Sequence, residues 1–201
     1  MTHRIVFFDF ETAGLEPTHE PIQLAAVATE SFVEVDAFEA KVVFDESLAD
    51  PEALAANHYD PAIWREQAKP EAVVVREFAR FLDKHATIEK TAKSSGKPYR
   101  IAWLAGHNIA KFDVPRLDEM FKRYGQFLAA DIFRPLDTMQ LAHWHALATG
   151  ASESTFGLTA LCERFDIDTS GAHDALADAR MCVKLAQRLQ HGMSLLGARS
   201  A

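Results

Sequence analysis

Cysteine, basic charge and long apolar runs are all scarce in this sequence. Its 201 residues include only two cysteines, Cys162 and Cys182, so no disulfide framework is expected. We expect both thiols to be buried in helices, because free cysteine behaves as a small apolar residue. No stretch approaches the ~18 apolar residues that a membrane-spanning helix needs. The chain leads straight into Ile5-Val6 without the apolar core and cleavage site of a secretory signal, so a cytoplasmic location is the expectation.

Acidic residues outnumber basic ones. The 21 Lys and Arg residues against 29 Asp and Glu residues give a net charge of −8, which argues against broad binding of nucleic acid through a basic surface. The negative charge is still compatible with an enzyme that holds a few nucleotides through bound metal ions, because the cations reverse the local field. One basic run lies within 84–100, which we interpret first as a solvated loop and alternatively as a contact for single-stranded nucleic acid. Its cations are Lys84, Lys90, Lys93, Lys97 and Arg100.

The order of strand and helix patterns indicates an α/β domain. The alternation and β-branched content predict strands at 5–10, 22–29, 32–44 and 101–105, with an antiparallel hairpin across Glu30-Ser31. The first three predicted strands follow one another, and a fourth strand then alternates with helices. This order implies an α/β sandwich with a mixed sheet. We expect one domain over 1–190 and a C-terminal tail over 191–201. Helices are predicted at 51–66 in short pieces and at 70–85, 113–124, 137–149, 157–164 and 174–190, with a mobile loop at 86–100.

Carboxylates occur at three notable places. Asp9 and Glu11 lie two residues apart in the first strand, so they project from one face of it. Two acids this close repel each other unless a cation neutralises them. Asp113 begins a helix after a buried strand, and Asp178 lies in the last helix, five residues after His173. Taken singly, each has a plain explanation, such as a solvated strand end or a helix cap.

Together, the three places resemble the motifs of the DnaQ-like 3′–5′ exonucleases, the DEDD superfamily, in its histidine-containing DEDDh subgroup. The first motif, Asp-x-Glu-Thr, is matched at 9–12, and the second, His-Asn-x-x-x-Phe-Asp, at 107–113. The third, a His followed after four residues by Asp, is matched at 173–178. The resemblance covers about residues 4–190. It departs from the family at Ala13, where Thr is common, and at Gln23, where Glu often stands.

The resemblance implies a fold and a metal-dependent chemistry. The implied fold is α/β and ribonuclease-H-like, with a mixed five-stranded sheet flanked by helices. The implied cofactors are two Mg²⁺ (or Mn²⁺) ions, which suit hard carboxylate oxygens. Asp9 would bridge both ions, Glu11 and Asp178 would hold the ion that activates water, and Asp113 would act near the second ion. His173 would be the general base, because imidazole titrates near neutral pH.

The implied activity is hydrolysis at the 3′ ends of single-stranded DNA with release of mononucleotides. The enzyme could act alone or as the proofreading partner of a polymerase. An RNA-trimming exoribonuclease is the alternative, since Ala13 also resembles members of that kind, and an inactive binding module is a third. Core packing explains Phe10 less easily than a substrate contact does, because its neighbours would face the site. Residues expected to contact substrate are Phe10, Thr12, Leu15, His107, Asn108 and Phe112.

Overall fold

The computed structural model describes residues 4–152 and 154–199. Over this part, seven strands and seven α-helices alternate broadly as the sequence predicts. The strands are β1 (Arg4–Thr12), β2 (Pro21–Glu30), β3 (Val33–Lys41), β4 (Ile88–Thr91), β5 (Pro98–Ile101), β6 (Trp103–Gly106) and β7 (Leu136–Asp137). The helices are α1 (Pro51–Ala56), α2 (Pro61–Gln67), α3 (Glu71–His85), α4 (Asp113–Arg123), α5 (Thr138–Thr149), α6 (Leu158–Arg164) and α7 (Ala175–Arg199), with one 3-10 turn at Glu46–Leu48.

A mixed five-stranded sheet in the order β3-β2-β1-β6-β7 forms the centre of the fold. β1 pairs antiparallel with β2 and parallel with β6, so the carboxyl ends of β1 and β6 meet at one edge of the sheet. The predicted hairpin between β2 and β3 is confirmed. Its turn residues Ser31 and Phe32 both have positive φ (52° and 62°), which matches the right-handed twist of the flanking strands.

The two faces of β1 serve different layers. Val6, Phe8 and Phe10 lie in the core cluster that also contains side chains of α3 and α4, whereas Phe7 packs on the other face against α7. Phe10 is only 4% exposed and meets Phe8 edge-on at 6.0 Å between ring centroids. The interpretation that core packing explains Phe10 poorly is therefore wrong. Because successive strand residues point to opposite faces, acidic neighbours on one face leave Phe10 inside the other.

The segment predicted as a loop at 86–100 instead forms an antiparallel pair, β4 with β5. These strands are not evident from the sequence because each has four residues and charged side chains interrupt the apolar pattern. Ile101 ends this hairpin, and β6 runs from Trp103 toward the carboxyl edge of the sheet. The basic hairpin therefore lies at the opposite end of the sheet from Asp9 and Glu11. Two of its cations are paired within the protein, Lys90 with Asp131 at 3.7 Å and Arg100 with Glu89 at 3.0 Å.

The last helix is longer than predicted. α7 continues to Arg199, so the tail predicted at 191–201 is helical as far as the structure describes it, and residues 200–201 lie outside the described residues. Both cysteines are buried, as predicted. No helix in the described ranges is long and apolar enough to span a membrane.

Candidate active site

Three carboxylates converge at the carboxyl end of β1. Asp9 and Glu11 project from the face of β1 that α7 covers, and the first turn of α7 carries Asp178. One oxygen from each of the three lies within 4.8 Å of the others. Glu11 is buried and the other two are half-buried. An all-oxygen set of this kind fits a hard divalent cation such as Mg²⁺ or Mn²⁺.

Asp113 joins this group from the neighbouring strand's end. It begins α4, is 3% exposed, and accepts a hydrogen bond from the backbone N–H of Phe10 at 3.2 Å. Because Phe10 adjoins both Asp9 and Glu11, this bond ties the second motif directly to the first. All four carboxylates predicted from the sequence are thus brought to one place.

The electrostatics of the cluster disfavour four free anions. Burial, followed by repulsion from Asp113, Glu11 and Asp178, raises the pKa of Asp9 well above its ordinary value. Burial and the neighbouring carboxylates raise the pKa of Glu11 to about 8. Burial raises the pKa of Asp113 to about 7 and that of Asp178 to about 6. A bound cation would offset this repulsion and return the carboxylates to their ionised form.

His173 lies in the turn before α7, as predicted. Its backbone is left-handed, with φ of 68°, and its N–H donates to Asp178 Oδ1 at 3.2 Å. The side chain is exposed. The backbone of this turn thus lies beside the carboxylate of the same motif, and the residue is accessible to solvent.

A family model described as exonuclease, RNase_T, matches residues 6–95 and 97–186. The chain belongs to this exonuclease family. The predicted resemblance to DnaQ-like 3′–5′ exonucleases is therefore confirmed at the level of the family, whose members use divalent metal ions. No curated protein sequence matches the chain.

Solved structures of exonuclease I share the fold of this exonuclease domain. They include the Escherichia coli protein with a dA16 oligonucleotide (20% identity, TM-score 0.75) and its zinc-bound complex with single-stranded DNA (21%, 0.75). A third is the moderately thermophilic protein from Methylocaldum szegediense (18%, 0.74). Each comparison covers 96% of this chain and 42% of the other, so the chain spans less than half the length of these proteins. The predicted ribonuclease-H-like fold with its mixed five-stranded sheet is confirmed.

Two polar residues near the exonuclease site were not among the predicted site residues. Asp174 follows His173 and contributes to the raised pKa values of Glu11 and Asp178. Gln23, in β2, is 1% exposed and donates to Asp174 at 3.0 Å. The sequence signals for Gln23 are its polar side chain within a mainly apolar strand and its position where the family often has Glu.

The residues predicted to contact substrate near the first motif differ in accessibility. Leu15 is 81% exposed, so it can meet a ligand. Thr12 is buried and its hydroxyl donates to the Gly14 carbonyl at 2.8 Å. Phe112 is half-buried, with the Arg116 guanidinium 3.7 Å from its ring centroid. Leu15 and Phe112 therefore present the accessible apolar surface of these motifs.

The second motif begins with two residues that shape its loop. Both ring nitrogens of His107 lie within hydrogen-bonding distance of protein atoms, Thr138 Oγ1 at 2.9 Å and the Phe156 carbonyl at 2.8 Å. Burial also lowers its pKa. Neither ring nitrogen is left for a substrate, so His107 supports the loop. Asn108 has φ of 58° and its N–H donates to Asp137 at 2.9 Å; a substrate contact by its side chain stays a prediction.

Proposed function

We propose that this exonuclease domain removes mononucleotides from the 3′ ends of single-stranded DNA in a reaction that requires divalent metal. The observation that carries the proposal is the convergence of Asp9, Glu11 and Asp178 within 4.8 Å. Burial and mutual repulsion make this arrangement costly without a cation. Such a cost is a common mark of a functional site.

Asp9, Glu11 and Asp178 would hold the metal, and Asp113 would act beside Asp9. We propose two Mg²⁺ or Mn²⁺ ions, because four carboxylates exceed what one ion needs when it also keeps water or phosphate ligands. Bound cations would neutralise the carboxylates and stabilise the negative charge that develops on the scissile phosphate.

The role of His173 follows from its exposure and its place beside Asp178. Its imidazole would take a proton from the attacking water as the new bond forms between the water oxygen and phosphorus. The bond from phosphorus to the 3′ oxygen of the penultimate nucleotide breaks, and that oxygen gains a proton from solvent. The products are a 5′-mononucleotide and a strand one residue shorter.

Support for a single-stranded DNA substrate comes from two sides. The Escherichia coli exonuclease I with the same fold was solved with a dA16 oligonucleotide. A net charge of −8 also argues against broad contact along a duplex through a basic surface. Leu15 and Phe112 would contact the terminal bases, since they are the accessible apolar side chains of the motifs.

The test compares 5′-labelled single-stranded DNA, duplex DNA and RNA of one sequence, with Mg²⁺, with Mn²⁺ and with excess chelator. We expect a ladder of shortened single-stranded DNA with either metal and none with chelator. Immediate release of the labelled mononucleotide would contradict the polarity, and degradation in chelator would contradict the metal requirement. Faster shortening of RNA would move the proposal to an exoribonuclease.

Matched variants assign the activity to the cluster. Asp9→Asn should abolish the ladder, whereas Asp83→Asn, which changes an exposed carboxylate near the end of α3, should leave it intact. Equal activity in the two variants would contradict the assignment of Asp9.

A further inference from the structure

Gln23 fastens the turn that carries His173 to the central sheet. It lies opposite Glu11 in the pairing of β1 with β2, and its amide nitrogen is 3.0 Å from Asp174 Oδ2 and 3.1 Å from Glu39 Oε1. Carboxylate oxygens only accept hydrogen bonds, so each of the two amide hydrogens is directed to one carboxylate. This amide is therefore a fixed bridge between three segments of the chain.

Asp174 is held through both of its carboxylate oxygens. Oδ1 accepts from the N–H of Ala177 at 3.0 Å and caps the first turn of α7, while Oδ2 accepts from Gln23. The cap alone would fix Asp174 relative to the helix. The bond to Gln23 also fixes Asp174 relative to β2, and thereby relative to β1, with which β2 pairs.

His173, the residue before Asp174, is the one whose position matters for the proposed catalysis. The left-handed φ of His173 is uncommon for a residue with a side chain and persists only where the surroundings hold it. Asp178 accepts from the N–H of His173 at 3.2 Å, and His58 Nε2 lies 3.3 Å from the Ala172 carbonyl. Of the side chains that hold this turn, Gln23 is the buried one.

We propose that Gln23 is a positioning residue for His173, acting through Asp174. This rests on the proposed role of His173 as the general base. Without the amide, Asp174 loses its tie to the sheet, and its half-buried Oδ2 loses the hydrogen bond from Gln23. An unsatisfied acceptor at a partly buried place costs more than the bond itself is worth. The turn then relaxes, and the imidazole no longer meets the water in the productive geometry.

The first experiment separates this role from general stability. Gln23→Met keeps the length of the side chain and removes the amide. Because small misplacements of a catalytic group are costly, we expect kcat on single-stranded DNA to fall about 10- to 100-fold, with little change in KM. Thr29→Val is the matched control, since Thr29 is a buried residue of the same strand whose hydroxyl bonds the Ile5 carbonyl at 3.3 Å. Equal losses of kcat in both variants would overturn the proposal.

The second experiment combines Gln23→Met with His173→Ala and measures all four proteins under single-turnover conditions. If Gln23 acts through His173, its loss should have no further effect once the imidazole is gone. An equal fold-loss with and without His173 would overturn the positioning role and assign the effect to the carboxylates. A wild-type kcat in His173→Ala alone would overturn the base assignment itself, and the positioning role with it.

A second variant guards against misfolding. Gln23→Asn retains a buried amide that is one methylene shorter, and its melting temperature shows whether the fold is kept. If the Gln23→Met protein does not fold, Gln23→Asn takes its place in the comparison of the four proteins. The same dependence on His173 is expected, with a smaller loss of kcat.

Discussion

Replacing Glu11 by Gln should stabilise the metal-free protein, although it removes a residue of the site. Burial, with repulsion from Asp178 and Asp174, raises the pKa of Glu11 from 4.5 to about 8. The folded protein therefore binds this proton more tightly than the unfolded chain does. The stability that follows is fully present below the unfolded pKa and is lost as pH rises through the folded pKa. Between about 4.5 and 8, the metal-free wild type should become less stable with each step in pH.

The size of the effect follows from the same pKa values. Each tenfold difference in proton affinity is worth about 1.4 kcal/mol, so the raised pKa of Glu11 destabilises the folded state by about 5 kcal/mol at pH 9 and by about 3 kcal/mol at pH 7, as orders of magnitude. Gln has nearly the same shape without the charge. For a chain of this length, about 3 kcal/mol corresponds to roughly 6–12 °C in melting temperature.

The assay is thermal unfolding of the wild type and Glu11→Gln in chelator across this pH range. Glu163→Gln, an exposed residue of α6, is the matched control and should melt with the wild type. Added Mn²⁺ should raise the melting temperature of the wild type far more than that of Glu11→Gln, because a cation that binds the folded state stabilises it. A Glu11→Gln protein that melts at or below the wild type in chelator at pH 8 would refute the reasoning.

Three further substitutions test separate parts of the site. His173→Ala should lower kcat about 10²- to 10⁴-fold and flatten the acidic limb of the pH–rate profile. Metal affinity, measured by calorimetry, should change little. Weaker metal binding with an unaltered pH–rate profile would instead make His173 a metal ligand. Phe10→Leu should lower the free energy of unfolding by about 1–2 kcal/mol and leave kcat and KM near wild type, since Phe10 packs in the core; a raised KM would restore it as a substrate contact. Arg116→Met should raise KM several-fold and leave kcat unchanged. The reason is that Arg116 donates to the carbonyls of Glu16 and Phe112 and so holds the accessible side chains of Leu15 and Phe112 in place. An unchanged KM would contradict this role of Arg116.

The four carboxylates could be predicted from sequence because each stands in a short motif, and the three motifs in this order resemble those of a known exonuclease family. Asp9 and Glu11 share a face through the two-residue period of a strand, and Asp113 and Asp178 each stand at the start of a helix. The contact between Gln23 and Asp174 could not be predicted in this way. It depends on the register between β1 and β2 and on how closely α7 approaches the sheet, and neither is encoded within one segment.

The strands of the fold likewise include some that can be predicted from sequence and some that cannot. β1, β2 and the hairpin to β3 carry β-branched and aromatic residues over long runs, so their patterns stand out. β4 and β5 have only four residues each, and β7 has two. Strands this short are defined by the partners they pair with, which sequence alone does not identify. The burial of Phe10 is hard to predict because its acidic neighbours mark the opposite face of β1 as the functional one.

The carboxylates that would hold the metal lie far apart in the sequence. Asp9 and Glu11 are synthesised well before Asp178, so a nascent chain has no complete site until α7 has docked on the sheet. Any event that detaches α7, such as a proteolytic cut in the turn before it, would abolish the proposed activity even though the other motifs are intact. Conversely, a cation held between these segments closes a loop over most of the chain, and such a link restricts the unfolded ensemble more than a local one does. Metal binding should therefore slow the release of α7 in hydrogen-exchange experiments before it affects the sheet.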